Sequence, residues 1–140
     1  MSKTRSSNPH RRVRHDHSTE TAEDYVEAVD DIIMARGQCR IADLAKKFDV
    51  SHVTVHRIVG RLQSEGYLQT EPYRPVELTV KGKKLASESR HRHEVVYAFL
   101  LAIGVDEKTA SIDAEGIEHH VSPLTLQRMS VVTQQWNKTQ

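Results

Sequence analysis

A chain of 140 residues has room for one domain of ordinary size or two small ones sharing a core, and 37% hydrophobic with 28% charged residues fits a soluble globular protein. The longest apolar stretch, Val95 to Val105, is too short to span a bilayer, and no apolar signal region follows the N-terminus. A single cysteine, Cys39, excludes an internal disulfide and suits a reducing cytoplasm, the location we expect.

The net charge of +1 resolves into blocks: +4 over residues 1–17, −5 over 18–39, +4 over 40–84 and −2 over 85–140. The arm 1–18 has almost no apolar residues and is expected to be disordered and basic. From Ser18–Thr19 the pattern turns helical, with Tyr25, Val26, Val29, Ile32 and Ile33 at three- and four-residue spacing up to Gly37. A short helix is expected over Ile41–Phe48, with Leu44, Ala45 and Phe48 inward. Asp49-Val50 turns the chain, and Ser51 is a good N-cap for a helix to about Glu65. Val55, Ile58, Val59 and Leu62 form its buried stripe, and Gly66 ends it. Tyr67–Glu71 and Val76–Thr79 read as short strands around the stiff link Pro72-Tyr73-Arg74-Pro75. Together these elements predict a winged helix-turn-helix over 19–80.

Residues 81–140 read as an all-helical domain. One long helix is expected over Lys81–Ile103, a second over Glu107 to about His120 capped by Asp106, and a last one from Ser122-Pro123 to about Trp136. Three helices are too few for a stable bundle, so their apolar faces are expected to pair in a homodimer. The fold class is therefore mainly α, an N-terminal winged helix-turn-helix followed by a helical dimerisation domain.

Ser51, His52, Thr54, His56, Arg57 and Arg61 lie outside the buried stripe of the second reader helix. They are the expected DNA contacts, with Arg74 on the wing as a phosphate contact. Six further side chains have metal-ligand chemistry. At about 100° per residue, Glu115, Glu118 and His119 fall on one helical face. Asp24 and Glu27 share a face three residues apart, and His93, with His91 as its competitor, sits on the long helix. Taken singly, each has a plainer meaning as a solvated charge or structural histidine. Together, flanking a DNA reader, they point to metal control of DNA binding. Carboxylates and imidazoles suit Mn²⁺, Fe²⁺ or Zn²⁺, and the missing thiolate favours manganese. A di-metal carboxylate enzyme would usually present two Glu-x-x-His motifs on separate helices. This chain has one Glu-x-x-Glu-His and no nucleophile–base constellation, so no enzyme is expected.

That combination resembles the manganese-responsive branch of the diphtheria-toxin-repressor family over about residues 20–135. The carrying strings are Glu23-Asp24-Tyr25-Val26-Glu27, Thr79-Val80-Lys81-Gly82-Lys83-Lys84, Arg92-His93-Glu94, Ile103-Gly104-Val105-Asp106 and Glu115-Gly116-Ile117-Glu118-His119-His120. The resemblance implies Asp24, Glu27, His93, Glu115, Glu118 and His119 as metal ligands, with His93 preferred to His91. It also implies two Mn(II) per subunit bridged by Glu115 and Glu118, a palindromic double-stranded DNA operator, and repression of manganese-uptake genes. The iron-responsive branch is expected to carry sulfur-containing residues where this chain has Asp24 and Glu118. An iron- or zinc-responsive repressor of the same family is the alternative.

Overall fold

The computed structural model describes residues 9–140, with side chains described from Thr19 onward. The chain divides into two compact units, one ending at Ser87 and one running Glu88–Gln140.

The first unit begins with helix α1, Pro9–Arg36. Its start corrects the expected beginning near Ser18. Residues 9–18, assigned from composition to a disordered arm, are helical, and residues 1–8 of that arm lie outside the described residues. The physical reason is that lengthening an existing helix is far easier than nucleating one. Pro9 presets the first helical φ, and neither Gly nor Pro intervenes before Gly37. At Gly37 the backbone turns left-handed (φ +89°), and its N–H closes on the Ile33 carbonyl at 2.7 Å.

Helix α2 covers Ile41–Phe48 and α3 covers His52–Ser64. The turn between them is set by Asp49 (φ 53°) and by Ser51, whose Oγ accepts from the Thr54 N–H at 3.1 Å. Helix α3 is rich in β-branched residues, each a few tenths of a kcal/mol poorer than alanine in a helix. Burial overrides that preference, since Val55, Val59 and Leu62 are buried and such side chains are worth about 1.5–3 kcal/mol each. They meet Val26 and Val29 of α1 and Leu44 of α2, and the Tyr25 ring stacks on Phe48 with centroids 4.4 Å apart. Burial raises the Tyr25 phenol pKa, and the nearby Arg57 charge partly opposes that rise.

The expected strands are shorter than their sequence pattern. Strand β1 is Leu68–Gln69 and β2 is Glu77–Leu78, antiparallel with Leu68 opposite Leu78. Just before β2, Val76 bridges to Cys39, its N–H donating to the Cys39 carbonyl at 2.7 Å. Pro72 and Pro75 remove backbone donors toward the wing tip, so the ladder does not extend beyond Gln69 and Glu77.

Helix α4, Val80–Ala102, starts in the first unit and runs on into the second. Thr79 caps it by accepting from the Gly82 N–H at 3.0 Å, while its hydroxyl donates to the Gly66 carbonyl at 2.6 Å. Lys81 lies 4.3 Å over the Tyr67 ring and donates to the Glu65 carbonyl at the end of α3. The start of α4 is thereby fastened to both α3 and the wing.

In the second unit, α5 covers Glu107–Ile117 and α6 covers Pro123–Lys138. Asp106 and Ser122 are their N-caps, accepting from the N–H groups of Thr109 and Thr125. The cap bonds from Thr109 hold the Asp106 carboxyl below its ordinary pKa. Val96 and Leu100 of α4 pack on Ala110 and Ala114 of α5. Ile103, Ile112, Leu124 and Trp136 remain exposed, as a unit that pairs with a second copy requires. Among the described residues no helix is long and apolar enough to cross a membrane.

Candidate metal centre and DNA-facing surface

The packing of α4 on α5 determines which ligands meet. His93, Val96 and Leu100 recur at three and four residues and share one face of α4. Ala110, Ala114 and Glu118 recur at four on α5 and the turn after it. Val96 and Leu100 share one buried cluster with Ala110 and Ala114, so the polar residue at the end of each stripe is carried inward with its apolar neighbours. The Glu118 and His119 side chains are 0% and 2% exposed, with His119 Nε2 3.6 Å from Glu118 Oε1.

The His93 ring is about a quarter exposed, but its Nδ1 is sealed from solvent and makes no hydrogen bond among the described residues. Glu115 Oε1 lies 3.4 Å from it, on a side chain that remains 60% exposed. One donor atom from each of His93, Glu115 and Glu118 falls within 4.8 Å of the other two. Such spacing is that of donors sharing one small cation. A buried imidazole nitrogen facing a carboxylate, with a second carboxylate alongside, fits a divalent ion. The competing residue, His91, is exposed.

The helix bearing Glu115, Glu118 and His119 was expected to reach His120, but α5 ends at Ile117. Glu118 keeps helical dihedrals, whereas His119 and His120 lie in a turn closed by the His120 N–H on the Ile117 carbonyl at 3.0 Å. The tighter turn, rather than a continued helix, sets the direction of His119. In the first unit, Asp24 and Glu27 lie on α1 and are both half-buried.

On the reader, Ser51, His52, His56, Arg57 and Arg61 are exposed. Thr54 is half-buried, and its Oγ1 is 3.0 Å from the Ser51 hydroxyl, so these two residues also build the helix cap. Arg61 pairs with Glu65 at 3.6 Å, an exposed contact worth little by itself. Sequence reasoning missed Val53, which is 78% exposed on α3. The signal was available, because Val53 falls outside the stripe of Val55, Val59 and Leu62. It also missed Arg40, whose Nη1 donates to the Tyr73 carbonyl at 3.5 Å.

The wing tip is a four-residue turn, Glu71 to Arg74, closed by the Arg74 N–H on the Glu71 carbonyl at 3.0 Å. Pro72 is its second residue and Tyr73, at φ +64°, its third. That is the pattern of a type II turn, whose third position ordinarily calls for glycine or asparagine. A side chain there costs about 1–2 kcal/mol. Between this turn and α3 lies a cleft of about 530 Å³, whose lining includes Arg40, His52, His56, Gln63 and Arg74.

A winged reader followed by a helical unit with an oxygen- and nitrogen-donor pocket has known counterparts. Residues 17–76 match the family described as iron dependent repressor, N-terminal DNA binding domain, and residues 79–138 match iron dependent repressor, metal binding and dimerisation domain. The chain belongs to this iron-dependent repressor family, the diphtheria-toxin-repressor family. The transcriptional regulator MntR of Salmonella typhimurium is 47% identical over 125 residues, which span 89% of this chain and 80% of that protein. The HTH-type transcriptional regulator MntR of Bacillus subtilis strain 168 is 38% identical over 117 residues, 84% of this chain and 82% of that one. A solved manganese-dependent transcriptional repressor in complex with manganese superposes with a TM-score of 0.71 at 24% identity, over 80% of this chain. This chain spans 52% of that protein, and the likeness shows a shared fold.

Proposed function

We propose that this chain is a Mn(II)-dependent DNA-binding transcriptional regulator that represses manganese-uptake genes when the metal is bound. It acts in the cytoplasm as a homodimer on a palindromic operator and is not an enzyme. The observation that carries the reading is the convergence of His93, Glu115 and Glu118, a sulfur-free donor set, in the unit that follows a winged DNA reader. Hard oxygen donors with a single type of nitrogen donor favour manganese over softer ions.

Asp24, Glu27 and His119 are proposed as the remaining ligands on the family resemblance; with His93, Glu115 and Glu118 they would hold two Mn(II) per subunit. A bound cation supplies positive charge and directional bonds. The chain's own acids supply the responsiveness: carboxylates gathered at one place repel one another and are stable together only when neutralised. Residues 18–140 carry a net charge of −3, so their neutralisation also favours approach to phosphates. Moving a population from mostly incompetent to mostly competent takes a differential affinity of about 5 kcal/mol, within reach of several ligand bonds made in only one state. On DNA, Arg57, Arg61 and Arg74 contact the backbone, and Ser51, His52, Thr54 and His56 lie at the start of the recognition helix, where base edges are read.

The test is a titration of binding to DNA from the region upstream of the chain's own gene, with chelator, Mn²⁺, Fe²⁺ and Zn²⁺ in turn. Binding should require metal and be strongest with Mn²⁺. Glu115→Ala should abolish the metal dependence while leaving the dimer folded by circular dichroism and sedimentation. A variant that responds to Mn²⁺ as the parent does would remove Glu115 from the site. Stronger binding with Fe²⁺ or Zn²⁺ would transfer the reading to another metal.

A further inference from the structure

Tyr73 occupies a position that folding alone disfavours. Its backbone is left-handed at φ +64°, its side chain is 99% exposed, and nothing in the core gains from its ring. The strain is nevertheless held firmly. Pro72 and Pro75 restrict the backbone on both sides. Arg74 closes the turn on Glu71, Thr70 Oγ1 donates to the Arg74 carbonyl at 3.4 Å, and Arg40 reaches the Tyr73 carbonyl itself. Gln63 of α3 ties the base of the wing by donating to the Thr70 carbonyl at 3.2 Å. The backbone that carries the aromatic ring is thus braced before any partner arrives, and the ring itself projects into solvent.

What lies beside it identifies the partner. The cleft between α3 and the wing carries Arg40 and Arg74, with His52 and His56 one helical turn apart; Glu71 is the acid in its lining. That lining suits one sugar–phosphate strand. In a duplex, a single backbone separates the major groove from the minor groove. With α3 in the major groove and that backbone in the cleft, the tip of the wing stands over the neighbouring minor groove. Minor-groove proteins use apolar side chains against the groove walls and base steps there, reading shape and deformability rather than a hydrogen-bond code.

We propose that Tyr73 is a minor-groove probe, a specificity-determining residue for base pairs flanking those read by α3. The proposal rests on the DNA-binding regulator reading and extends it to positions the recognition helix does not touch. The ring contributes contact area and shape selectivity but no charge, so it adds affinity without adding to the salt dependence.

The experiment uses the full chain loaded with Mn²⁺ and a duplex selected by that protein from a random pool. Hydroxyl-radical footprinting reports minor-groove exposure, and binding is measured across a salt series for wild type, Tyr73→Gly and Tyr73→Phe. Glycine suits the turn, so Tyr73→Gly should melt at the same temperature or higher, bind roughly tenfold more weakly, keep the salt slope, and lose protection at the flanking minor groove. Reselection with this variant should relax the preference at those flanking positions alone. Tyr73→Phe should behave as wild type. Unchanged affinity and footprint in Tyr73→Gly would overturn the probe and leave the regulator intact, as would a lowered melting temperature, which would make Tyr73 a structural residue. Failure of the wild type to select any duplex would overturn both readings.

Discussion

Replacing Gly82 by alanine tests how the reader is fastened to the helix that carries His93. A Cβ on Gly82 would overlap the Tyr67 carbonyl oxygen, and would stand 3.1 Å from the Tyr67 carbonyl carbon and 3.3 Å from Leu78 Cδ2. The obstacle is the Tyr67 backbone just ahead of β1, which cannot swing aside as a flexible side chain can. In an open helix the same substitution would stabilise by about 1 kcal/mol. Here, overpacking costs about 1–3 kcal/mol. Relief by sliding α4 would also strip the Thr79 cap from the Gly82 N–H, a further loss of about 1 kcal/mol. The expected net change is a destabilisation of about 1–3 kcal/mol, a fall in melting temperature on the order of 3–10 °C for a chain of this size. Thermal melts followed by circular dichroism, with and without Mn²⁺, make the measurement. An alanine variant as stable as wild type would show that the close approach of α4 to the wing is not a feature of the protein in solution.

Cys39 is fully buried, and burial with the adjacent Asp43 charge pushes its thiol pKa up to about 12 from 9.0. A raised acid keeps its proton longer in the folded chain than in the unfolded one. Stability from this group is therefore complete below about pH 9 and declines as pH rises toward 12. Urea midpoints measured at pH 8, 9 and 10 should fall less steeply for Cys39→Ala than for wild type, and parallel curves would refute the assignment. Ser122→Ala removes the acceptor for the Thr125 N–H at the start of α6 and should cost about 1 kcal/mol by denaturant titration. A loss below a few tenths would mean that water replaces the cap. Arg57→Ala and Arg74→Ala should each weaken DNA binding and reduce the salt slope by about one. Slopes equal to wild type in both would move the phosphate contacts elsewhere.

The reader was legible in the sequence wherever one periodicity coincided with one cap. Ile41–Phe48, Ser51 as N-cap and the stripe Val55, Ile58, Val59, Leu62 follow directly from spacing, because burial of that stripe outweighs every local preference. The strands were over-read for the opposite reason. Tyr67–Glu71 has strand-forming residues, but hydrogen-bonded pairing is a property of two segments, and Pro72 and Pro75 limit it. The left-handed Tyr73 was illegible, since turn chemistry would place glycine or asparagine there, and only the surrounding hydrogen bonds reveal what holds a tyrosine in its place. In the second unit, the donor types and their helical spacing were visible, whereas spacing left His93 and His91 as competitors and the family resemblance supplied the preference for His93. Glu118 was expected on the same helical face as Glu115, but its full burial follows from sharing a stripe with Ala110 and Ala114. Composition misjudged residues 9–18, because absence of apolar groups argues against a core and not against the extension of a helix.

The sealed thiol has a consequence beyond pH. Cys39 is the one sulfhydryl in the sequence, its side chain is inaccessible, and the donor set contains neither thiolate nor thioether. Disulfide-exchanging compounds and electrophiles therefore find no exposed thiolate on the folded chain, and thiol oxidation would remove none of the proposed ligand atoms. The proposed metal response would then be insulated from thiol oxidation.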